Sequence, residues 1–353
     1  LKEAETILLV AKKSNSLDAA FEELASSNIS SEGQQPSLMS LTKVTNKLDQ
    51  IISQSITSVD DVAQVVVYKL SKQVSQPKGK VLITPFTYQD TKMSSPFARY
   101  LRDALETQVG QMDKWNVVRQ ASSFKPKSAQ ITREITKASG AEWLLSGTYW
   151  EQGEKIKLMA TMRDVNKGKI LAGAEVIFDT DLLKAAHLDF KPQNFETALI
   201  EQRAFDEGEF LSDHLQVEVW TNKGNENLLF TKGEIMKVYV RVNRESHIRL
   251  LYILADRRRT LLYDDLYIDQ SKVNHVVEVP QEFECAPPFG AEMLVVVART
   301  EKFEPLETVK QDGYFFLKAS TAKDAAAMVR GMKRKNQNEI QQAEAKNIIT
   351  TIE

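Results

Sequence analysis

The 353-residue sequence predicts an α+β fold: a small α/β domain with a mixed sheet, preceded by helices, then an all-β, sandwich-like domain carrying a C-terminal helix. Three observations predict it. Apolar residues recur at helical spacing before residue 75. From Lys80 to Phe178 the pattern alternates between short apolar runs and amphipathic stretches, in the order β-α-β-α-β-β-β. Beyond residue 210 it becomes a series of short strand-like runs separated by turn residues. The expected divisions are 1–37 (helices and linker), 38–180 (α/β), 181–207 (connector) and 208–353 (β, with its helix).

Residues 2–26 carry Ala4, Ile7, Leu8, Ala11, Leu17, Ala20, Phe21 and Leu24 at helical spacing, and 26–37 is a Ser-, Gly- and Gln-rich linker. Leu41, Val44, Leu48, Ile51 and Ile52 continue a helical stripe. Ser58 with Asp61 three residues later forms a capping-box start for a helix to about Val74. Val81, Leu82 and Ile83 form a continuous apolar run bounded by Pro77–Gly79 and Pro85, as a strand buried on both faces requires, and Val81–Phe86 is expected to be the central strand of a sheet. Ser95–Gln111 is an amphipathic helix expected to pack on that strand, with Phe97, Leu101, Ala104, Leu105 and Val109 on one stripe. Trp115–Val118 is a strand, and Ile131–Ala138 a helix closed by Gly140. Three strands follow, Glu142–Tyr149, Ile156–Arg163 and Ile170–Phe178, joined by turns at Gly153 and Gly168.

After a mixed stretch at 180–210, strands are expected at Leu215–Trp220, Ile235–Asn243, His247–Ala255, Leu261–Tyr263, His275–Val279, Met293–Arg299 and Tyr314–Leu317. Thr321 and Asp324 cap a final helix; more helix carries Ile340 and Ala343, and Ile348–Ile352 returns as an edge strand.

Two passages carry a family likeness. Gly79–Phe86, the Leu101-x-x-Ala104-Leu105 helix, Trp115–Arg119, Ala141–Tyr149 and Ala160–Ile170 occur in the order and spacing of the α/β module of bacterial outer-membrane assembly proteins. Residues 60–180 resemble that module in the curli secretion channel family and the flagellar outer-membrane FlgO family. Residues 208–318 are similar to a bacterial domain of unknown function, often appended to caspase-like peptidases and kinases. The carrying residues are Pro287–Val296 and the run His247–Leu254. The turn Asp256–Arg257–Arg258–Arg259 departs from it, standing where that domain usually has Gly. The resemblances imply an envelope location, periplasmic or at the outer membrane, and no known catalytic activity.

The residues themselves offer little chemistry. No phosphate-binding glycine loop is present, and the four histidines (His187, His214, His247, His275) show no zinc spacing. Cofactors and metals are therefore not expected. Cys285 is the only cysteine, which excludes an internal disulfide; it lies beside Glu284, and the reading favoured for it is a buried, inert thiol. His247 is expected to bond to backbone at a strand end. Asp264 and Asp265 should point to opposite faces of a strand and so not form an acid–base pair. A balance of 46 basic against 48 acidic residues argues against nucleic acid as a partner. No apolar run reaches the ~20 residues of a membrane-spanning helix. The short, lysine-bearing hairpin strands do not suit a pore. The chain opens on Leu1, as a processed form or a piece of a longer protein would.

The expected function is that of a non-catalytic assembly protein of the bacterial cell envelope. Its partners would be other proteins in a homo- or hetero-oligomer, with peptidoglycan or outer-membrane components as further candidates. The helices of 2–26 and 39–74 would serve docking. The candidate partner-binding residues are Arg257, Arg258 and Arg259, expected exposed at a hairpin tip where guanidinium groups could meet carboxylates or phosphates. The alternative is a sensor or regulatory subunit of a cytoplasmic signalling or defence system whose β domain binds a ligand or partner.

Overall fold

The computed structural model describes residues 56–74, 78–120, 131–207, 214–311, 313–330 and 341–353. The helices expected within 2–26, the linker after them and the stripe at 41–52 lie outside these residues.

Helix α1 (Val59–Gln73) begins at the expected capping box: Asp61 N–H donates to Ser58 Oγ (3.1 Å), and Ser58 N–H donates to Asp61 Oδ2 (2.8 Å). Its neighbour α2 (Pro96–Gly110) starts with Ser95 accepting from Ala98 N–H at 3.2 Å, and Pro96 occupies a first-turn position that needs no N–H. The two helices pack side by side on one face of a mixed sheet, whose order is β3 (Trp115–Val118), β1 (Gly79–Ile83), β4 (Trp143–Gln152), β5 (Lys155–Asp164), β6 (Ile170–Asp179). The first three strands run parallel and the last two antiparallel. The strand expected at Val81–Phe86 ends at Ile83 and is flanked by β3 and β4; Phe86 is buried just beyond it. A two-residue strand, β2 (Thr87–Tyr88), then pairs with β4.

Strand β5 alternates strictly. Ile156, Leu158, Ala160 and Met162 are buried among α1, α2 and the sheet, while Lys155, Met159 and Arg163 are exposed on the opposite face. Gly153 (φ +66°) and Gly168 (φ +68°) make the two hairpin turns, and Gly140 (φ +74°) closes α3 (Ile131–Ala138).

Within 180–210, two helices form, α4 (Thr180–Ala185) and α5 (Phe195–Asp206). The remaining chain builds two facing sheets. One has seven strands in the order β14 (Thr308–Gln311), β15 (Tyr314–Leu317), β11 (Arg259–Ile268), β10 (Ser246–Ile253), β13 (Gly290–Arg299), β16 (Gln342–Ile352), β8 (Leu228–Thr231). The other has three: β12 (Val277–Glu284), β9 (Ile235–Val242), β7 (Val217–Thr221). Val238, Val240, Ile248, Leu250, Leu294 and Val296 fill the space between them. The far face of the larger sheet is covered by α5 and α6 (Ala322–Arg330), with Leu251, Val295 and Val297 against Phe205, Ala326 and Val329. Strand β13 is thus apolar on both faces, which explains its unbroken Met293–Ala298 run.

Two expectations for the C-terminus are corrected. Ala343, read as helical, lies in β16; and β16 is no edge strand, since it pairs antiparallel with β13 over ten residues and parallel with β8. Both neighbours are remote in sequence, so local pattern could not place it.

The outer face of the three-stranded sheet meets the mixed sheet. Trp220 and Tyr239, stacked at 6.4 Å, pack with Leu82, Ile135 and Ala141. Polar ties flank this contact: Gln120 Nε2 donates to Asn222 O at 2.6 Å, and Ser94 N–H donates to Thr350 Oγ1 at 2.8 Å.

Candidate binding site

Strand count decides where a site can lie. Three strands cannot cover seven, so the inner face of β11 and β15 extends past the edge strand β12. The result is a cavity of about 270 Å³ open at one end of the paired sheets. Its walls are apolar and aromatic: Phe230, Leu254, Leu262, Phe283, Ile349 and Phe316. Ala286 and Pro287 follow β12 and are exposed at the rim, with Tyr314 53 % exposed opposite them.

One carboxyl group lies inside. Glu292 is 5 % exposed, accepts the Tyr252 hydroxyl on Oε2 (2.8 Å) and the Ala255 N–H on Oε1 (3.2 Å). Burial favours its neutral form and outweighs the hydrogen bonds that favour the charged one, so its pKa is pushed up to about 7. Its position is set by a backbone clamp at the start of β13. Asn194, preceding α5, accepts from Ala291 N–H (2.8 Å) and donates to Ala255 O and Ala291 O (2.9 and 2.8 Å). Gly290 is required there, because a Cβ would stand 2.5 Å from Asn194 Oδ1.

The residues singled out in the sequence fall into three places. Arg257 and Arg258 are exposed at the β10–β11 turn, where Arg257 takes the positive φ (+72°) that a Gly would have supplied. Arg258 donates to Asp256 (2.6 Å) and lies over the Phe316 ring at the rim of the cavity. Arg259 is not exposed, contrary to expectation: it is buried and ion-paired with Glu201 of α5, itself 3 % exposed. It is the first residue of β11 and its side chain falls on the helix-covered face.

Asp264 and Asp265 depart from strand alternation. The register steps from Ile248↔Leu266 to Leu250↔Tyr263, so both acids stand opposite Arg249 in a β-bulge. Asp264 pairs with Arg249 (2.5 Å); Asp265 pairs with His247 Nδ1 (2.6 Å) and with Lys302 (3.7 Å). His247 therefore bonds to a carboxylate rather than to backbone. The five residues form one ion network, anchored on the buried Arg249, in which each acid already has a basic partner.

Cys285 lines the cavity, 8 % exposed, on the inner side of the larger sheet; His247 shares the outer side with Arg249 and Leu251. No thiolate–imidazole pair is assembled between them. Burial and the Glu292 and Glu234 carboxylates push the thiol up to about 11, which keeps it protonated. Among the described residues no group of three His, Cys, Asp or Glu side chains could hold a metal ion. Nor is any helix among them long and apolar enough to cross a membrane.

A larger cleft of about 1100 Å³ separates the mixed sheet from the paired sheets. Its charges are largely spent on each other: Arg102 with Asp103 (2.8 Å), Lys223 with Glu234 (2.6 Å), and Arg119 with Glu106 (2.5 Å). Glu292 was missed in the sequence reading. Its one signal was an acid between Gly290–Ala291 and an apolar strand, where an ionised side chain has no place unless it is held.

No family model matches the chain, and no curated protein matches it. Among solved structures, part of it is similar to the LpoB C-terminal domain from Escherichia coli (14 % identity, TM-score 0.27), over 33 % of this chain and 96 % of that one. It is also similar to lipoprotein GNA1162 from Neisseria meningitidis (15 % identity, TM-score 0.22), over 36 % of this chain and 96 % of that one. A third likeness is to the PelC dodecamer from Paraburkholderia phytofirmans (12 % identity, TM-score 0.20), over 29 % of this chain and 71 % of that one.

Proposed function

We propose that this chain is a non-catalytic assembly protein of the bacterial cell envelope, periplasmic or associated with the outer membrane. It would bind another protein through the open end of its paired sheets. The observation that carries the binding reading is an exposed apolar hairpin beside an apolar cavity. Val309 on β14 and Tyr314 and Phe315 on β15 are 49 %, 53 % and 47 % exposed. Tyr314 and Val309 lie on the cavity side of the hairpin and Phe315 on the other, so apolar side chains are exposed on both faces of this edge, as at many contact sites. The envelope reading rests on the sequence likeness of residues 60–180 to outer-membrane assembly modules.

Arg258 borders the cavity and Arg257 stands next to it in the same exposed turn, on the side of Glu201; both would meet acidic groups on the partner or carboxylates of peptidoglycan. Arg259 leaves the candidate set, being engaged with Glu201. Self-association through the N-terminal helices belongs to the same proposal.

The test is fractionation of the native bacterium followed by isolation of the protein with whatever it binds. The expected result is recovery in the periplasmic or outer-membrane fraction with a stoichiometric partner that the Tyr314→Ser/Phe315→Ser double variant loses while keeping its circular dichroism spectrum. Recovery in the cytoplasm with a soluble enzyme would favour the regulatory-subunit alternative instead. A partner retained by the double variant would remove the hairpin from the interface.

A further inference from the structure

The cavity holds a carboxyl group for which the protein supplies no counter-charge. The Tyr252 hydroxyl, the Ala255 N–H and the Thr351 side chain are its hydrogen-bonding partners, all of them neutral. The titratable groups lining the cavity or acting on Glu292 are Tyr252, Tyr314, Glu284, Cys285, Asp256 and Arg258. Arg258, their one cation, is engaged with Asp256 at 2.6 Å. Three carboxyl groups (Glu284, Glu292, Asp256) thus face one guanidinium, and the interior favours positive charge. The walls that lead to Glu292 are apolar and aromatic and include Phe283, Phe316 and Tyr314, side chains of the kind on which cations stack. Arg258 already sits 5.1 Å from the Phe316 centroid, which shows that a cation is accommodated on this rim.

We propose that the cavity receives a cationic side chain on an apolar stem, a lysine of the partner protein, whose ammonium pairs with Glu292 at the floor. The stem would lie along Leu262 and Phe316, and the ammonium would add the charged donor that Glu292 lacks. This identification rests on the protein-binding reading above, but the cavity can be tested without the partner.

The probe is a capped lysine, Nα-acetyl-lysine N-methylamide, titrated into the full chain and followed by NMR; the capped norleucine of similar shape is the control. Pairing requires the ionised carboxyl, so affinity should rise as Glu292 loses its proton. With a pKa of about 7, the fraction ionised grows roughly tenfold between pH 6 and pH 8, and the capped lysine should bind roughly tenfold more tightly at pH 8. Norleucine should bind at least tenfold more weakly at pH 8 and show no such pH dependence. Glu292→Gln should abolish the pH dependence and weaken lysine to the level of norleucine. Equal binding of the two probes, or tighter lysine binding at pH 6, would overturn the proposal. If Glu292→Gln does not fold, the wild-type pH dependence alone decides. Lysine binding with no partner found in cells would sink the protein-docking reading and leave the cation site; the reverse outcome would do the opposite.

Discussion

Removing the charge of Glu201 should destabilise the paired sheets far more than a surface substitution does. Glu201 accepts from Arg259 through both oxygens, with Arg259 Nε at 3.3 Å from Oε2, and Arg257 approaches at 3.8 Å. The two principal partners are 3 % and 9 % exposed. Glu201→Gln leaves the Arg259 guanidinium buried without a carboxylate in contact; its other acceptor among the described residues is Ala319 O at 3.4 Å, and Asp324 acts on it only at longer range from the solvent side. Breaking a buried pair from one side costs about 3–5 kcal/mol, whereas an exposed pair is worth about 0–1 kcal/mol. Replacing both partners by apolar residues, as in Glu201→Leu/Arg259→Met, should recover most of the loss, because no desolvated charge remains. Urea unfolding followed by circular dichroism reads all three chains. A loss below about 1 kcal/mol for Glu201→Gln would refute the burial assigned to Arg259 and return it to the exposed turn. A double variant no better than the single would refute the electrostatic cause.

Three further outcomes are expected. Glu292 has a folded pKa of about 7 against an ordinary 4.5, so its contribution is fully present below pH 4.5 and is lost as pH rises towards 7. The loss is about 3 kcal/mol, and the difference in urea stability between wild type and Glu292→Gln should change by that amount between pH 4.5 and 8. Gly147→Ala should abolish soluble expression or cost several kcal/mol in thermal unfolding, because a Cβ would stand 2.1 Å from Phe86 Cε1 and 2.4 Å from the Met159 carbonyl oxygen. Cys285 should react with Ellman's reagent at pH 8 at least about a hundredfold more slowly than a free thiol, and at the ordinary rate in urea, since a pKa of about 11 and burial both suppress the thiolate.

Local chemistry was legible where local chemistry decides. The Ser58–Asp61 capping box, the turns at Gly153 and Gly168, and the strict alternation of β5 are each visible within ten residues of sequence. Features set by remote partners were not. β16 becomes an interior strand only because β13 and β8 flank it, and its run of Lys346, Asn347 and Thr350 looks like an edge until they do. The short strands β2, β8 and β14 have too few residues to show a period. A bulge opposite Arg249 turned Asp264 and Asp265 to one face, and no residue in that stretch announces it. The candidate site was harder still. Arg258 and Cys285 were singled out separately, 27 positions apart, and only the excess of seven strands over three brings them to one cavity with Glu292 at its floor.

The most direct measurement is site-specific photo-crosslinking in the native bacterium, from a photoreactive residue at position 314 at the rim of the cavity and from one at Lys169 in the β5–β6 turn as control. The expected result is one discrete adduct with an envelope protein from position 314, absent from position 169 and suppressed by Glu292→Gln in the same chain. Adducts from position 169 but none from 314, or an adduct with a cytoplasmic enzyme, would contradict the proposal that this chain is an envelope assembly protein that docks through its paired sheets.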